Sequence, residues 1–351
     1  MNSAIPKNRP LTDDEISNVQ RTYDLIVNEQ LPFPEGNVSN TVRLETTQGT
    51  RVMKLYPPHI PKAQVDFQAN ASNHIFDDNV PVPLVFPNKG GNLVTAYGDR
   101  NFIIMSFLDG IHPQRDSPET VEIIFPGLYM VLESLAKFKP AIVYQDPKYT
   151  KPLSEQLLEL QRSLPSQPQD EFDRIALDYQ RSLSDRVRSV EKGMEQVISP
   201  KQLIFGDSNV GAFLVRNNSL TGIIDFDNVH ENRRLYDVMR TLEFLCVDKW
   251  TDGLEPHQRV NWDRAKQCIR VYASHDQSIG RELGYAPLML QHARLQRLLD
   301  LWKSGYTDLS QKSRRHFHES RMEFLNSVEV AFKCEEQFYQ TAREGYALAL
   351  R

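Results

Sequence analysis

The sequence has little of what secreted, membrane-spanning or nucleic-acid-binding proteins need. Its three cysteines, Cys246, Cys268 and Cys334, are odd in number and far apart, which argues against a disulfide framework and fits a reducing cytosol. No apolar run reaches the length of a membrane span, and the N-terminus has no apolar segment typical of a signal peptide. A net charge of −5 gives no basic excess for nucleic acid. We therefore expect a cytoplasmic protein with neither a nucleic-acid nor a membrane partner.

Several short motifs that identify large enzyme and binding classes are also missing from the sequence. The chain contains no Gly-x-Ser-x-Gly, no Gly-x-x-x-x-Gly-Lys and no Cys-x-x-Cys pattern. Hydrolases of the nucleophile-elbow type, P-loop nucleotide hydrolases and zinc ribbons therefore have no support. What the chain does have is 351 residues of which 40% are apolar, enough to bury a substantial core in two lobes or domains.

The N-terminal part has patterns that predict one helix followed by a strand pair. The segment TDDE has the spacing of a capping box and predicts a helix over about residues 13–28. Two alternating stretches, residues 40–45 and 51–56, flank a glycine-containing turn and predict antiparallel strands. In the second strand, alternation places Lys54 and Tyr56 on the same face.

The rest of the chain changes from short strands to mainly helical patterns. A helix is predicted over about residues 62–76, and short strands are predicted at 85–86, 93–94 and 102–105. These elements indicate a small sheet with a helix packed on it. Residues 152–193 are rich in Gln, Ser, Asp and Arg, and we interpret them as an exposed helical insertion.

Two acids stand out in the segment of residues 203–227, LIFGDSNVGAFLVRNNSLTGIIDFD. Asp207 lies in a loop that precedes one predicted strand, Asn217-Asn218-Ser219 predicts a turn, and Asp225 ends the antiparallel partner strand. The two carboxylates are therefore expected at the same edge of a hairpin. Carboxylates that converge in this way suit a divalent metal ion and a proton acceptor.

The order of these features resembles the aminoglycoside phosphotransferase and choline kinase branch of the protein-kinase-like fold, over roughly residues 38–240. The features that carry the resemblance are the strand lysine Lys54, the VPVP connection at 80–83, the MSFLDG linker at 105–110, Gly206-Asp207 and IDFD at 224–227. The resemblance implies an α+β, two-lobed fold. It would have a small antiparallel-sheet, nucleotide-binding N-terminal lobe, residues 1–107, and a larger, mainly helical C-terminal lobe, residues 108–351.

The resemblance also implies roles for individual residues. Lys54 matches the lysine that contacts the nucleotide phosphates, although a strand lysine considered alone would simply be solvated. Asp207 matches the catalytic aspartate, which orients the acceptor hydroxyl and receives its proton. Asp225 matches the aspartate that binds magnesium. Asp227 lies where the family often has a second acid, and we assign it to the metal site. A supporting or substrate-contacting role there and an ordinary loop acid are the two alternatives.

Three further positions are assigned by the same resemblance. Ser106 and Phe107 match the hinge whose backbone hydrogen-bonds adenine. An ungapped count back from the VPVP connection places Gln68 where the family has the helix glutamate that pairs with the strand lysine. A glutamine there cannot provide an ionic partner, so Lys54 keeps at most a neutral hydrogen bond from this helix.

The catalytic loop departs from the family pattern at two positions. Phe205 replaces the histidine two residues before the catalytic aspartate, and Ala212 stands where the metal-binding asparagine belongs. Alanine has no atom that coordinates a metal ion. Asn209 lies in the same loop and is a candidate for the missing ligand, but stabilisation of the turn is the commoner use of an asparagine there.

The sequence thus predicts a phosphotransferase that uses ATP and Mg²⁺ to move the γ-phosphoryl group to the hydroxyl of a small molecule. GTP is the alternative donor. A peptide serine or threonine is the alternative acceptor, because residues 152–193 could shape a groove. The departures in the loop leave a second function open, a catalytically impaired pseudokinase that acts as a nucleotide-binding or regulatory protein. The sequence does not indicate an oligomeric state.

Overall fold

The computed structural model describes residues 9–34, 39–249, 251, 253–307 and 325–351, which pack into two compact units. The first unit holds the chain up to Gln114, with Met130–Tyr144 and Leu203–His230. The second holds Arg115–Tyr129, Gln145–Gln202 and the chain from Glu231 onward. The predicted division into lobes of residues 1–107 and 108–351 stays a prediction.

An antiparallel sheet forms the framework of the first unit, with strand order β1-β2-β3-β6-β4 and β5 paired with β6. The strands are β1 (Val27–Pro32), β2 (Asn40–Thr46), β3 (Gly49–Leu55), β4 (Val85–Phe86), β5 (Thr95–Tyr97) and β6 (Arg100–Ser106). The strand predicted at residues 93–94 begins two residues later, at Thr95. The pairing of Tyr97 with Arg100 across a tight turn sets the register of β5.

Two helices cover opposite faces of this sheet, as the alternation of its strands requires. Helix α1 (Asp13–Tyr23) shares one buried cluster with Met53 and Leu55 of β3. Helix α2 (Lys62–Asp77) shares another buried cluster with Tyr56, which directly follows β3. Because Lys54 alternates with Met53 and Leu55, it lies on the same face of the sheet as α2.

Helix α1 is shorter than the predicted helix of residues 13–28. The capping box forms as predicted, with the Thr12 side chain accepting from the Glu15 N–H. The helix ends at Tyr23 because Asp24 adopts the left-handed conformation (φ 57°, ψ 46°), and Val27 then begins β1. The predicted extension over residues 24–28 is therefore wrong. Of its apolar residues, Val27 belongs to the strand that pairs with β2, and Leu25 and Ile26 lie in the connection between helix and strand.

A hairpin follows the loop that contains Asp207. It consists of β8 (Phe213–Arg216) and β9 (Ser219–Ile223), which pair in an antiparallel manner. Asn217 and Asn218 both have positive φ (51° and 57°), the conformation of a type I′ turn, and asparagine tolerates it well. The predicted hairpin is confirmed.

The second unit is mainly helical. Its elements, some of which extend into the first unit, include α3 (Glu119–Lys137), α4 (Pro147–Thr150), α5 (Leu153–Ser163), α6 (Glu171–Glu195), β7 (Gln202–Ile204), β10 (His230–Asn232), α7 (Arg234–Cys246), α8 (Trp262–His275), α9 (Ala286–Thr307) and α10 (Glu335–Ala349). The antiparallel sheet and the mainly helical remainder confirm the predicted α+β fold class. Within the described ranges, the helices are too short or too polar to cross a membrane.

Residues 152–193 are helical as predicted, but they are not simply an exposed insertion. Helices α5 and α6 bury one apolar face each, and these faces pack with residues of α9 that include the fully buried Trp302. The apolar residues are sparse but recur at helical spacing, so each helix has a buried stripe and a polar outer face. The interpretation as an exposed segment is therefore wrong for one face of each helix.

A buried ionic cluster gives the second unit a testable stability feature. Glu243 (1% exposed) pairs with Lys249 at 3.0 Å and with Arg294 at 3.2 Å. We expect Glu243→Gln to lower the free energy of unfolding by about 3–5 kcal/mol, because it removes a buried negative charge that pairs with two buried cations. Chemical denaturation measures the loss.

The matched control is Glu122→Gln, which removes a half-exposed partner of Arg270 at 2.9 Å. We expect that substitution to cost less than about 1 kcal/mol. Equal costs for the two substitutions would contradict a stabilising role for the buried cluster.

Candidate active site

The candidate site centres on Lys54, whose ammonium group lies between two carboxylates. Lys54 Nζ is 2.9 Å from Asp225 Oδ1 and 2.7 Å from Asp227 Oδ2. Strand β3 holds the lysine in place because it is paired on both sides, with β2 and with β6. Two acids 171 and 173 positions further along the chain thus meet a cation that the sheet positions.

The turn after β9 brings these two acids to Lys54. Asp225 has φ 69° and ψ 63°, a left-handed conformation in which aspartate is enriched among non-glycine residues. A short 3₁₀ helix, Phe226–Asn228, follows directly. The left-handed residue reverses the chain, so that the carboxylates of Asp225 and Asp227 can both face the same ammonium group.

The charges in this cluster shift one another's pKa values. Burial lowers the pKa of Lys54, but attraction to Asp225 and Asp227 outweighs burial and holds that pKa well above its usual value. Attraction to Lys54 lowers the pKa of Asp225. Burial raises the pKa of Asp227, and the neighbouring Asp225 charge adds to this effect. Lys54 is therefore a permanent cation at neutral pH.

Asp227 is more enclosed than Asp225 and has more partners. Its side chain is 21% exposed, whereas that of Asp225 is 51% exposed. The Tyr56 hydroxyl donates to Asp227 Oδ1 at 3.3 Å, and Gln68 Nε2 donates to the Asp227 backbone carbonyl at 2.6 Å. Lys54, Tyr56 and Gln68 line the same cavity of about 40 Å³.

Two side-chain amides orient the carboxylate of Asp207. Asn209 Nδ2 donates to Asp207 Oδ1 at 3.0 Å, and Asn228 Nδ2 lies 3.4 Å from Asp207 Oδ2. Asn228 is the last residue of the 3₁₀ helix that begins after Asp225. Its contact with Asp207 therefore joins the Asp207 loop to the segment that carries Asp225. The predicted convergence of these two segments is thus visible in side-chain contacts.

The loop around Asn209 and Ala212 is a compact turn. Asn209 Oδ1 accepts the Gly211 N–H at 2.8 Å and caps a short 3₁₀ helix, Val210–Ala212. This contact corresponds to the turn-stabilising alternative for Asn209, and its use as a metal ligand stays a prediction. The Ala212 side chain is buried, and its carbonyl accepts the Ile224 N–H at 2.8 Å.

Phe205 fills the place where the family has histidine. It is fully buried, and its ring lies 4.9 Å from the ring of Phe226, centroid to centroid. Phe226 separates the two acids of the IDFD segment, so this contact packs the Asp207 loop against that segment. Phenylalanine in place of histidine at position 205 thus replaces a polar side chain with an apolar one that packs on Phe226.

Ser106 is the last residue of β6, the strand that borders the site, and Phe107 follows it directly. The Ser106 N–H donates to the Leu84 carbonyl at 2.9 Å, and Ser106 Oγ accepts the Leu84 N–H at 3.0 Å. The backbone carbonyl of Ser106 is thus the group that this residue would offer to a base. The Phe107 ring packs under the Arg43 guanidinium at 4.6 Å. Their role in adenine binding stays a prediction.

Gly206 allows the Asp207 loop to approach the backbone of Asn228 closely. It has φ +80°, and a Cβ added there would lie 2.2 Å from the backbone oxygen of Asn228. We expect Gly206→Ala to cost about 3 kcal/mol or more of folding free energy, because backbone strain and a backbone clash add together. Thermal unfolding of the purified variant measures this loss.

Gly91→Ala is the matched control for that substitution. Gly91 has the same φ of +80°, but an added Cβ meets no atom within 4 Å. We expect it to cost about 1 kcal/mol, the price of strain alone. If Gly206→Ala were no more destabilising than Gly91→Ala, the close approach would not matter.

Two polar residues at the site were missed as functional candidates. The pattern of β3 put Tyr56 on the same face as Lys54, and this was the signal for its contact with Asp227. Asn228 follows the IDFD motif directly, but its contact with Asp207 depends on the left-handed turn at Asp225, which the sequence pattern does not reveal. All the predicted site residues lie in the first unit.

Comparison with known proteins agrees with this geometry. The model of the Phosphotransferase enzyme family (APH) matches residues 29–277. The chain belongs to this family. The APH family match spans β2, the strand that carries Lys54, the Asp207 loop and the Asp225 motif, and it confirms the predicted resemblance.

Similar proteins of known function are kinases. A homoserine kinase from Afipia carboxidovorans is 24% identical over 289 residues, which cover 82% of each chain. Among solved structures, a microcompartment-associated aminopropanol kinase matches with TM-score 0.66 and 14% identity, covering 92% of this chain and 97% of its own. An amicoumacin kinase with bound AMP-PNP and Ca²⁺ matches with TM-score 0.65 and 11% identity, covering 90% and 93%.

Together, the APH family match and the homoserine kinase relative identify the chain as a kinase that transfers a phosphoryl group to a hydroxyl acceptor. The solved structures establish the fold alone, which is protein-kinase-like.

Proposed function

We propose that this APH-family kinase transfers the γ-phosphoryl group of ATP to the hydroxyl of a small molecule in the presence of Mg²⁺. The observation that carries the proposal is the cluster of Lys54, Asp225 and Asp227. A fixed cation beside two carboxylates is what binding of a metal-bound triphosphate requires. The AMP-PNP in the similar amicoumacin kinase supports an adenine nucleotide as the donor.

The residues at the site fit a magnesium ion. Mg²⁺ is bound through one or two carboxylates together with phosphate and water oxygens, and Asp225 offers a half-exposed carboxylate. Its Oδ1 contacts Lys54, whereas its Oδ2 has no partner among the described residues. Asp225 is therefore the residue we assign to the metal. When bound, Mg²⁺ would supply positive charge that neutralises the phosphate oxygens.

Asp207 performs the proton chemistry in this proposal. The acceptor oxygen forms a bond to the γ-phosphorus while the bond from the γ-phosphorus to the β,γ-bridging oxygen breaks, and ADP leaves. The hydroxyl proton passes to the Asp207 carboxylate. The amides of Asn209 and Asn228 hold that carboxylate in a fixed orientation, so that it can align the hydroxyl before transfer. Lys54 contributes a fixed positive charge.

A small hydroxylated amine or amino acid is the acceptor class we propose first. The homoserine kinase relative covers most of the chain, which supports this class over a peptide acceptor. Homoserine, aminopropanol and choline therefore form the first panel of acceptors. A peptide that contains serine and threonine is the comparison.

The test is an ATP-consumption assay with each acceptor, in parallel with a thermal-shift titration of ATP and Mg²⁺. We expect acceptor-dependent consumption with one or more of the small molecules and none with the peptide. Stabilisation by the nucleotide without turnover on any acceptor would instead favour the pseudokinase alternative. If ATP and Mg²⁺ cause no thermal shift and ATP is not consumed, both functions are contradicted.

A further inference from the structure

The lysine of this site takes its ionic partners from an unexpected element. The expected partner is an acid on the helix that packs against the lysine strand, but the position assigned on α2 is Gln68, which carries no charge. The acids within 3 Å of Lys54 Nζ are Asp225 and Asp227, both from the turn after β9. The negative charge beside the lysine thus comes from the turn after β9 and not from α2.

Gln68 supports this arrangement rather than competing with it. Its Nε2 donates at 2.6 Å to the backbone carbonyl of Asp227. Its Oε1 is buried and has no hydrogen-bond partner in the part of the chain that the structure describes. A glutamate could not donate this hydrogen bond, because an ionised carboxylate only accepts. Helix α2 therefore holds Asp227 through the backbone carbonyl of that residue. The Asp227 side chain is then available to pair with Lys54.

The two acids differ in how fully their oxygens are engaged. Asp227 Oδ2 contacts Lys54 at 2.7 Å, and Asp227 Oδ1 accepts from Tyr56 at 3.3 Å. Asp225 uses only Oδ1 within the described residues, and its side chain is more exposed, 51% against 21%. Asp225 therefore retains an open oxygen that a metal ion can use, whereas Asp227 is enclosed by its protein partners.

We propose that Asp227 is the positioning residue of Lys54, supplying the anion that α2 lacks, and that the metal is left to Asp225. This inference rests on the proposed function and revises the prediction that Asp227 is a metal ligand. A metal ion on Asp225 draws on the charge of that carboxylate, so Asp227 becomes the principal anion that holds the ammonium group. Tyr56 and Gln68 keep Asp227 in place.

A charge swap tests the proposal. Asp227→Asn removes the anion, and the double variant Gln68→Glu/Asp227→Asn returns it to the helix, where residue 68 lines the same cavity as Lys54. We expect Asp227→Asn to lower kcat about tenfold or more, because the fixed position of the lysine charge matters in the transition state. The double variant should recover part of this loss, because it returns the anion but gives up the hydrogen bond from residue 68 to the backbone carbonyl of residue 227. The Mg²⁺ concentration for half-maximal activity should stay unchanged.

Two variants serve as references. Asp227→Glu keeps the charge and should retain more activity than Asp227→Asn. Asp66→Asn removes an acid on the same helix that pairs with Lys62 at the surface, and it should leave kcat unchanged. Thermal unfolding of each variant identifies any that do not fold, and Asp227→Glu then provides the comparison.

A second readout does not depend on turnover. Acylation of Lys54 by an amine-reactive ester, followed by mass spectrometry, reports how firmly its ammonium group is held. We expect faster acylation in Asp227→Asn, and in the double variant a rate closer to that of the wild-type protein. If the wild-type protein transfers phosphate to no acceptor, the proposed function fails. The acylation rates still show whether Asp227 holds the ammonium group of Lys54.

Two results would overturn the inference. One is a raised Mg²⁺ requirement in Asp227→Asn without rescue by Gln68→Glu, which would make Asp227 a metal ligand. The other is acylation of Lys54 at the wild-type rate in Asp227→Asn.

Discussion

Asp207→Asn should lower kcat for phosphoryl transfer by about 10²–10⁴-fold, the range that loss of a general base produces. An asparagine cannot take up the acceptor proton at neutral pH, although it matches aspartate in shape. Nucleotide affinity should change little, because Asp207 contacts the amides of Asn209 and Asn228 rather than the Lys54 cluster. Steady-state kinetics with saturating ATP, together with a nucleotide titration, separates the two effects.

Asp99→Asn is the control for this substitution. Asp99 is 75% exposed in the turn between β5 and β6, so its replacement should leave both kcat and nucleotide affinity at wild-type values. Asp207→Asn with wild-type kcat would contradict the proposed proton transfer. A large loss of nucleotide affinity would mean that Asp207 belongs to the nucleotide site instead.

Lys54→Met should lower kcat/KM for ATP by about 10²–10³-fold, the cost of removing one preorganised group that stabilises developing charge. Methionine fills a similar volume but leaves Asp225 and Asp227 without their shared cation. The repulsion of two carboxylates then opposes the binding of a triphosphate in addition to the lost attraction. Initial rates over a range of ATP concentrations measure this effect.

Lys62→Met removes a lysine of the same size from the surface of α2, where it pairs with Asp66 at 2.5 Å. We expect wild-type kinetics from that control, since an exposed ion pair contributes little. If Lys54→Met retained most of the activity, the phosphate contact assigned to Lys54 would be wrong, even though the chain belongs to the APH family.

The loop that holds Asp207 departs from the family pattern at two positions but keeps its acid. Phe205 replaces histidine and packs on Phe226, so the base of the loop is held by apolar contact. Ala212 replaces asparagine and is buried, where its backbone joins the loop to the end of the hairpin. The Phe205 side chain thus helps to hold the loop in place, whereas the backbone contact of Ala212 does not depend on its side chain. The proposed magnesium site would have one side-chain oxygen fewer, and water or phosphate oxygens can fill such a position around magnesium.

Sequence patterns were sufficient to predict the elements that carry the site. Alternation along β3 put Lys54 on the face that α2 covers, and the turn signal at Asn217 and Asn218 predicted the hairpin that ends near Asp225. These features depend on local periodicity and on residues that prefer particular backbone angles. They could therefore be predicted without knowledge of long-range contacts.

What the sequence could not predict depends on long-range geometry. The contacts of Asp227 with Lys54, Tyr56 and Gln68 join positions at least 159 residues apart and require the left-handed conformation of Asp225. The ungapped count that placed Gln68 gave its position but not its contact with the Asp227 backbone. The early end of α1 has a similar cause, because the pairing of β1 with β2 overrides a helical pattern.

The most direct test of the central claim is to follow ATP, Mg²⁺ and homoserine with the wild-type protein by phosphorus NMR. We predict that the γ-phosphate signal of ATP decreases while the signals of ADP and of a phosphate monoester of the acceptor increase in equal amounts, and that Asp207→Asn prevents this. The same spectrum distinguishes transfer from hydrolysis, which yields inorganic phosphate. Intact ATP, or inorganic phosphate as the only new product with every small-molecule acceptor, would contradict the account.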